Sequence, residues 1–190
     1  MGLFDKIKDQ ASNIGNTASQ TGSKTSGGHK SISFETLDSA TFAGFIALPQ
    51  AAMQSPYDTA AMMVVALNCY IQNNDEGIAM INHLKGPAPL TARELNLVKM
   101  QMVDYLARSY FAGATPQNDY MPSQPYTVDV SDNPHSYATQ GYAKLFVRCG
   151  GADTPRPVTM RLAKDGKWYL NEFSSLLLGC RKPESTNPWA

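Results

Sequence analysis

The chain has 190 residues, sixteen basic against sixteen acidic side chains for a formal net charge of zero, and 43% hydrophobic residues. That composition supplies one domain with a core plus some tail, and it leaves no global field to draw the chain onto nucleic acid, so no nucleic-acid partner is expected. Three cysteines, Cys69, Cys149 and Cys180, are far apart, odd in number and without CxxC spacing, which argues against a disulfide framework or a zinc ribbon, and no run approaches the ~18 apolar residues of a membrane span.

At the amino-terminal end, residues 1–18 place Leu3, Ile7, Ala11, Ile14 and Ala18 along one side of a helix, with Phe4 widening the stripe. Leu3, Phe4, Ile7 and Ile14 are the candidate docking residues for a membrane surface or a partner helix; a frayed helical tail is the competing reading. No long apolar signal-peptide core follows, and Lys6 stands where a myristoylation signal wants Ser or Thr, so a cytoplasmic protein is expected. Residues 19–31, rich in Ser, Thr and Gly, read as a flexible linker with His29 solvated, and a single domain is expected over 32–190.

Three helices are expected to open that domain, after a short extended stretch and a helical turn that end at Pro49. The first has Ser55 as cap, Pro56 in the first turn and Asp58 beside the positive helix end, and it is apolar nearly all round to Gln72, hence central and buried. The second, Asp75 to Lys85, turns Ile78, Ile81 and Leu84 inward and closes at Gly86. The capping box Thr91-Ala92-Arg93-Glu94 opens a third that runs through Leu95, Val98, Met102 and Leu106. His83 has no neighbour at metal-ligand spacing and reads as an ordinary surface or interface histidine.

The second half reads as four antiparallel strands: Tyr126 to Val130, Tyr142 to Arg148, Val158 to Leu162 and Trp168 to Phe173. Val158, Met160 and Leu162 share one face, and Asp165-Gly166 supplies the positive φ angles of a tight hairpin turn. The fold class is therefore α+β, about three helices packed on a four-stranded antiparallel sheet. Lys144, Phe146 and Arg148 alternate on one strand face as a base-stacking platform would, but an ordinary sheet face has the same pattern.

Loop 108–125 holds Tyr110, Phe111 and Tyr120, unusual for a solvated linker, and with loops 131–140 and 149–157 it is where a cleft is sought. The candidate ligand-binding residues are Arg108, Tyr110, Asp119, Tyr120, His135, Asp153 and Arg156; a structural ion pair of Asp153 with Arg156 is the plainer alternative. No Walker loop, GxGxxG, HExxH or GxSxG motif is present, and Cys149 becomes a thiol nucleophile with His135 only if the fold joins them.

The motifs Ser109-Tyr110-Phe111, Gly113-Ala114-Thr115-Pro116, Asn118, Tyr120, Pro122 and Pro125-Tyr126, then Gly151-Ala152-Asp153 and Pro155-Arg156-Pro157, then Arg181, Pro183 and Pro188-Trp189-Ala190, resemble an uncharacterised bacterial family, a domain of unknown function common in gut bacteria. The resemblance covers about residues 32–190 and implies a single bacterial domain, with no activity or cofactor to carry over. More loosely, helices followed by an antiparallel sheet resemble the nuclear-transport-factor-2-like fold, which implies a pocket between helices and sheet. The expected function is a binding or protein-interaction module with a protein partner or self-association, no cofactor and no metal. The alternatives are a small-molecule enzyme using the three loops and peripheral membrane attachment through residues 1–18.

Overall fold

The computed structural model describes residues 27–37, 41–186 and 188–189; the amphipathic segment with Leu3, Phe4, Ile7 and Ile14 lies outside the described residues, as does linker stretch 19–26. In chain order the elements are β1 (His29–Phe34), α1 (Phe42–Ala47), α2 (Pro56–Gln72), α3 (Asn74–Lys85), α4 (Ala92–Gln101), α5 (Asp104–Arg108), β2 (Tyr126–Ser131), β3 (Tyr142–Val147), β4 (Arg156–Leu162) and β5 (Trp168–Glu172). The class is α+β, but among the described residues the sheet has five strands where four were expected, and the α-helices number five where about three were expected. The strands form an antiparallel meander in the order β1-β2-β3-β4-β5.

The additional strand, β1, begins inside the expected linker. It pairs from His29 opposite Ser131 to Phe34 opposite Tyr126. Ile32 and Phe34 are its only buried residues; Ser31 Oγ donates to Asp129 Oδ1 at 2.6 Å and Ser33 meets Thr127 at 2.9 Å on the wet face. An edge strand with one solvated face needs few apolar residues, so composition alone reads as linker.

α2 begins as the sequence requires: Ser55 accepts the Tyr57 N–H at 3.3 Å, Pro56 needs no donor, and Asp58 faces the helix dipole. Ala60, Ala61, Met62, Met63, Val64, Ala66 and Leu67 are all fully buried, and the helix touches every strand. Asn73 ends α2 and caps α3 by accepting the Glu76 N–H at 3.3 Å. At Gly77 a Cβ would collide with the Tyr70 backbone, so glycine is what lets α3 lie against α2. His83, expected to be an ordinary surface or interface histidine, packs its ring edge-on against Phe42 and Phe45, 5.7 and 6.3 Å between centroids. β5 is tied to the helical layer by Trp168 N–H to Met53 O at 2.9 Å and Thr59 Oγ1–H to Trp168 O at 2.7 Å.

The third expected helix is two. Its capping box forms, but Met102 and Val103 are extended before α5 restarts at Asp104. Val98 is the one fully buried residue of α4, so little packing holds that helix straight, whereas Leu106 and Ala107 of α5 must reach the core.

In the β4–β5 hairpin only Gly166 takes a positive φ, of 80°. Ala163 N–H donates to Lys167 O at 2.9 Å and Gly166 N–H to Ala163 O at 3.1 Å, a three-residue loop, one residue longer on the β4 side than the two-residue turn expected. Asp165 instead accepts from the Lys167 N–H at 3.1 Å and from the Tyr169 hydroxyl at 2.8 Å. Val158 and Met160 face the core as expected; Leu162, next to the turn, is 41% exposed. On the outer sheet face the aromatic rings carry cations from their own chain: Lys144 Nζ lies 6.0 Å over Phe146 and the Arg161 guanidinium 5.6 Å over Tyr142.

Candidate functional site

Loop 109–125 is drawn inward by its aromatic residues. Tyr110, Phe111 and Tyr120 are buried, Tyr120 stacks on Tyr105 with centroids 5.8 Å apart, and Ala112 and Phe111 attach the loop to β2. Asp119 and Tyr120 both have left-handed backbone, φ 53° and 58°, which turns the Tyr120 ring into the core.

What the inward groups hold is the chain's own segment 176–185. Tyr110 donates its hydroxyl to Leu176 O and Tyr120 to Arg181 O, both at 2.7 Å; Ser185 Oγ donates to Asp119 Oδ1 at 2.6 Å; Asp153 pairs with Arg181; and the Arg156 guanidinium donates to Gly179 O. Five of the seven candidate ligand-binding residues thus converge, on an internal strap. The pairing of Asp153 with Arg156 is replaced by these two separate contacts. Arg108 pairs with Asp104 inside α5, and His135 sits in the turn after β2, where its N–H donates to Asn133 Oδ1 at 2.9 Å. Among the described residues, neither shares a hydrogen bond or ion pair with the other candidates, and His135 makes no contact with Cys149.

Under the strap lies a thiol cluster. Cys149, at the end of β3, is buried, and Cys180, on the strap, is half-buried; neither is in a disulfide. Ser109 Oγ lies 3.3 Å from Cys149 Sγ, and Cys180 Sγ–H donates to Tyr120 Oη at 3.4 Å. Gly151 makes room: a Cβ there would collide with both Tyr120 Oη and Cys180 Sγ. The Cys149 hydrogen bond, helped by Tyr120, Ser109 and the Arg156 charge, brings Cys180 down to about 6 against its burial, while that same bond and burial push Cys149 up. Cys69, inside α2, is pushed up by burial and by the charge of Glu76.

A pocket of about 350 Å³ opens between the α3–α4 connection and the β4–β5 hairpin, lined by Lys85, Pro87, Ala88, Arg161, Leu162, Ala163, Lys164, Tyr169, Leu170 and Asn171. Its walls are fixed: Tyr169 packs against Gly86, where a Cβ would strike the ring, and buried Lys85, 5% exposed, bonds to Glu94 at 2.7 Å and lies 5.7 Å over Phe173. Burial pushes Glu94 up, but hydrogen bonds from Lys85 and Thr91 outweigh it and hold the carboxylate below its usual range. A larger cleft of about 660 Å³ runs between Pro116–Gln117 and the strap, but its charged groups are mixed in sign, and of its three charged residues Arg181 is engaged with Asp153 and Glu184 with Gln117 at 2.6 Å.

Sequence reasoning missed Ser109, Cys180, Lys85, Arg161 and Lys164 as site residues. The hairpin turn and the closing glycine of α3 were the available signal for the pocket, since Lys164 and Lys85 stand at those two points and both line it. Nothing in the spacing of Cys149 and Cys180 announces their meeting. Among the described residues no group of three or more metal-ligating side chains forms a metal site, and no helix is long and apolar enough to cross a membrane.

No curated protein and no solved structure matches the chain. A family model does match, over a span slightly shorter than the motif resemblance suggested. The chain belongs to the family described as Domain of unknown function (DUF6935), whose model matches residues 39–184.

Proposed function

We propose that the domain is a binding module that takes a small anionic ligand with an apolar body in the pocket between the α3–α4 connection and the β4–β5 hairpin. The carrying observation is the charge of the lining: Lys85, Arg161 and Lys164 are its only charged residues, all cationic, over a floor of Pro87, Ala88, Leu162 and Leu170. Lys85 is already neutralised by Glu94, which leaves Arg161 and Lys164 to meet the anion, while exposed Leu162 offers apolar contact. A volume of about 350 Å³ is at the small end for a ligand site and suits a compact carboxylate or sulfonate. The loop-cleft enzyme alternative has less support, because its convergent polar groups are engaged by segment 176–185.

The test uses the anionic dye anilinonaphthalene sulfonate in a fluorescence titration of the full chain. Saturable binding that weakens with added salt, and about tenfold weaker binding by the Arg161→Ala/Lys164→Ala double variant with an unchanged unfolding midpoint, is expected. Equal binding by wild type and double variant would reject the pocket.

A further inference from the structure

We propose that Cys180 and Cys149 are a peroxide-reactive dithiol, Cys180 being oxidised first and Cys149 resolving it into a reversible disulfide that pins the 176–185 strap to the β3–β4 connection. The site is built rather than incidental. Cys149 and Cys180 come from distant parts of the chain into one cluster: Ser109 Oγ sits 3.3 Å from Cys149 Sγ, Tyr120 Oη 3.4 Å from Cys180 Sγ, the Arg181 N–H bonds to Gly151 O at 2.9 Å, and the absent side chain of Gly151, two positions from Cys149, is what admits the Cys180 sulfur. Exposure divides the labour: Cys180 is reachable from solvent, whereas Cys149 is buried behind it. The charged groups around the pair are Arg156, whose guanidinium holds Gly179 O one residue before Cys180, and the Arg181–Asp153 ion pair just after it. The depressed Cys180 thiol agrees with this assignment, since the thiolate is the nucleophile. Tyr120 has a single hydroxyl proton, given to Arg181 O when Cys180 is a thiol; once Cys180 ionises, the same proton can turn to the sulfur.

The chemistry balances with hydrogen peroxide as the oxidant. The Cys180 thiolate attacks one peroxide oxygen, the S–O bond forms as O–O breaks, and the departing hydroxide takes up the proton that Cys180 released, leaving a sulfenic acid and one water. Cys149 sulfur then attacks the Cys180 sulfur; S–S forms, S–O breaks, and the hydroxide leaves as a second water with the Cys149 proton. Two thiols lose two electrons and one peroxide becomes two waters. A small dithiol reverses the bridge by thiol–disulfide exchange, becoming a disulfide itself.

Reduced full-length protein is treated with hydrogen peroxide, its thiols are counted colorimetrically and its peptides are mapped by mass spectrometry. Of the three cysteines, two should be lost together, a Cys149–Cys180 cross-linked peptide should appear within one chain, and dithiothreitol should restore all three. Cys149→Ser should stop at a dimedone-reactive sulfenic acid on Cys180, and Cys180→Ser should slow thiol loss about tenfold. A wild-type bridge through Cys69 or between chains, or thiol loss as fast in Cys180→Ser as in wild type, would overturn the assignment. So would three thiols that persist in peroxide, the result expected of cysteines that merely pack.

Discussion

Lys85 brings a positive charge into a site 5% exposed, and Glu94 is what makes its burial tolerable. Removing one partner of such a pair leaves the other uncompensated, so Glu94→Gln should lower stability by about 3 kcal/mol, whereas Lys85→Met with Glu94→Gln together, which removes the charge and keeps the bulk, should cost clearly less. Denaturant midpoints of the two variants check this. The pH dependence follows from the direction of the Glu94 shift. A carboxylate held below its unfolded value contributes stability that is fully present above about pH 4.3, and the contribution is lost as pH falls through the lower folded value. Wild type and the Glu94→Gln variant should therefore differ at neutral pH and converge in acid; a constant difference would show that the Glu94 carboxylate contributes nothing. Gly151 gives a second single-residue prediction. Gly151→Ala forces a methyl into Tyr120 Oη and Cys180 Sγ, and a loss of about 1–3 kcal/mol is expected from overpacking, read as a lower denaturant midpoint.

At the scale of elements, Asn73 serves two helices, its backbone N–H closing α2 on Cys69 O at 2.8 Å and its side chain capping α3. Asn73→Ala keeps the first contact and loses the second, so about 1 kcal/mol should go, a drop of about 2–4 °C in the thermal midpoint for a chain of this size. Circular dichroism melts measure it directly. This junction was legible in the sequence, as were the start of α2, the capping box at Thr91 and Glu94 and the β4–β5 turn, because each is decided by residues within four positions of one another. β1 was legible only over 32–34, where a short extended stretch is expected; residues 29–31, read as linker, owe their strand identity to a partner about a hundred positions away, and their composition suits solvent. The break at Met102–Val103 was not legible either: the spacing of Val98, Met102 and Leu106 is helical throughout, and the bend comes from where α5 meets the core. Of the candidate site, the aromatic content of loop 109–125 marked the right region. Its occupant, the strap, could not be read from spacing, because its hydrogen bonds to the rest of the domain span from 23 to 67 positions.

For the whole molecule the strap beyond Leu177 makes a second level of organisation over a core that takes in only its first residues, Leu176 and Leu177. α2 packs on all five strands without help from residues beyond 180, whereas loop 109–120 and the β3–β4 connection, joined directly by the Gly150 N–H to Ser109 O at 2.7 Å, are tied further through Arg181 and its neighbours. Deleting residues 181–190 removes the acceptor of the buried Tyr120 hydroxyl, the partner of Asp153, the donor to Asp119 and the Arg181 N–H that bonds to Gly151 O at 2.9 Å. The shortened chain should still fold, with an unchanged far-ultraviolet spectrum, because the α2–sheet core is intact. Its stability should fall by about 2–4 kcal/mol, most of it from the stranded Tyr120 hydroxyl and the reopened surface beneath the strap. Hydrogen exchange locates the loss: amides of 109–120 and 149–153 should exchange faster while those of α2 and β4 keep their relative protection. If the deletion instead loosens α2 and β4 as much as the loops, the strap is part of the core and the two-level description of the fold is wrong.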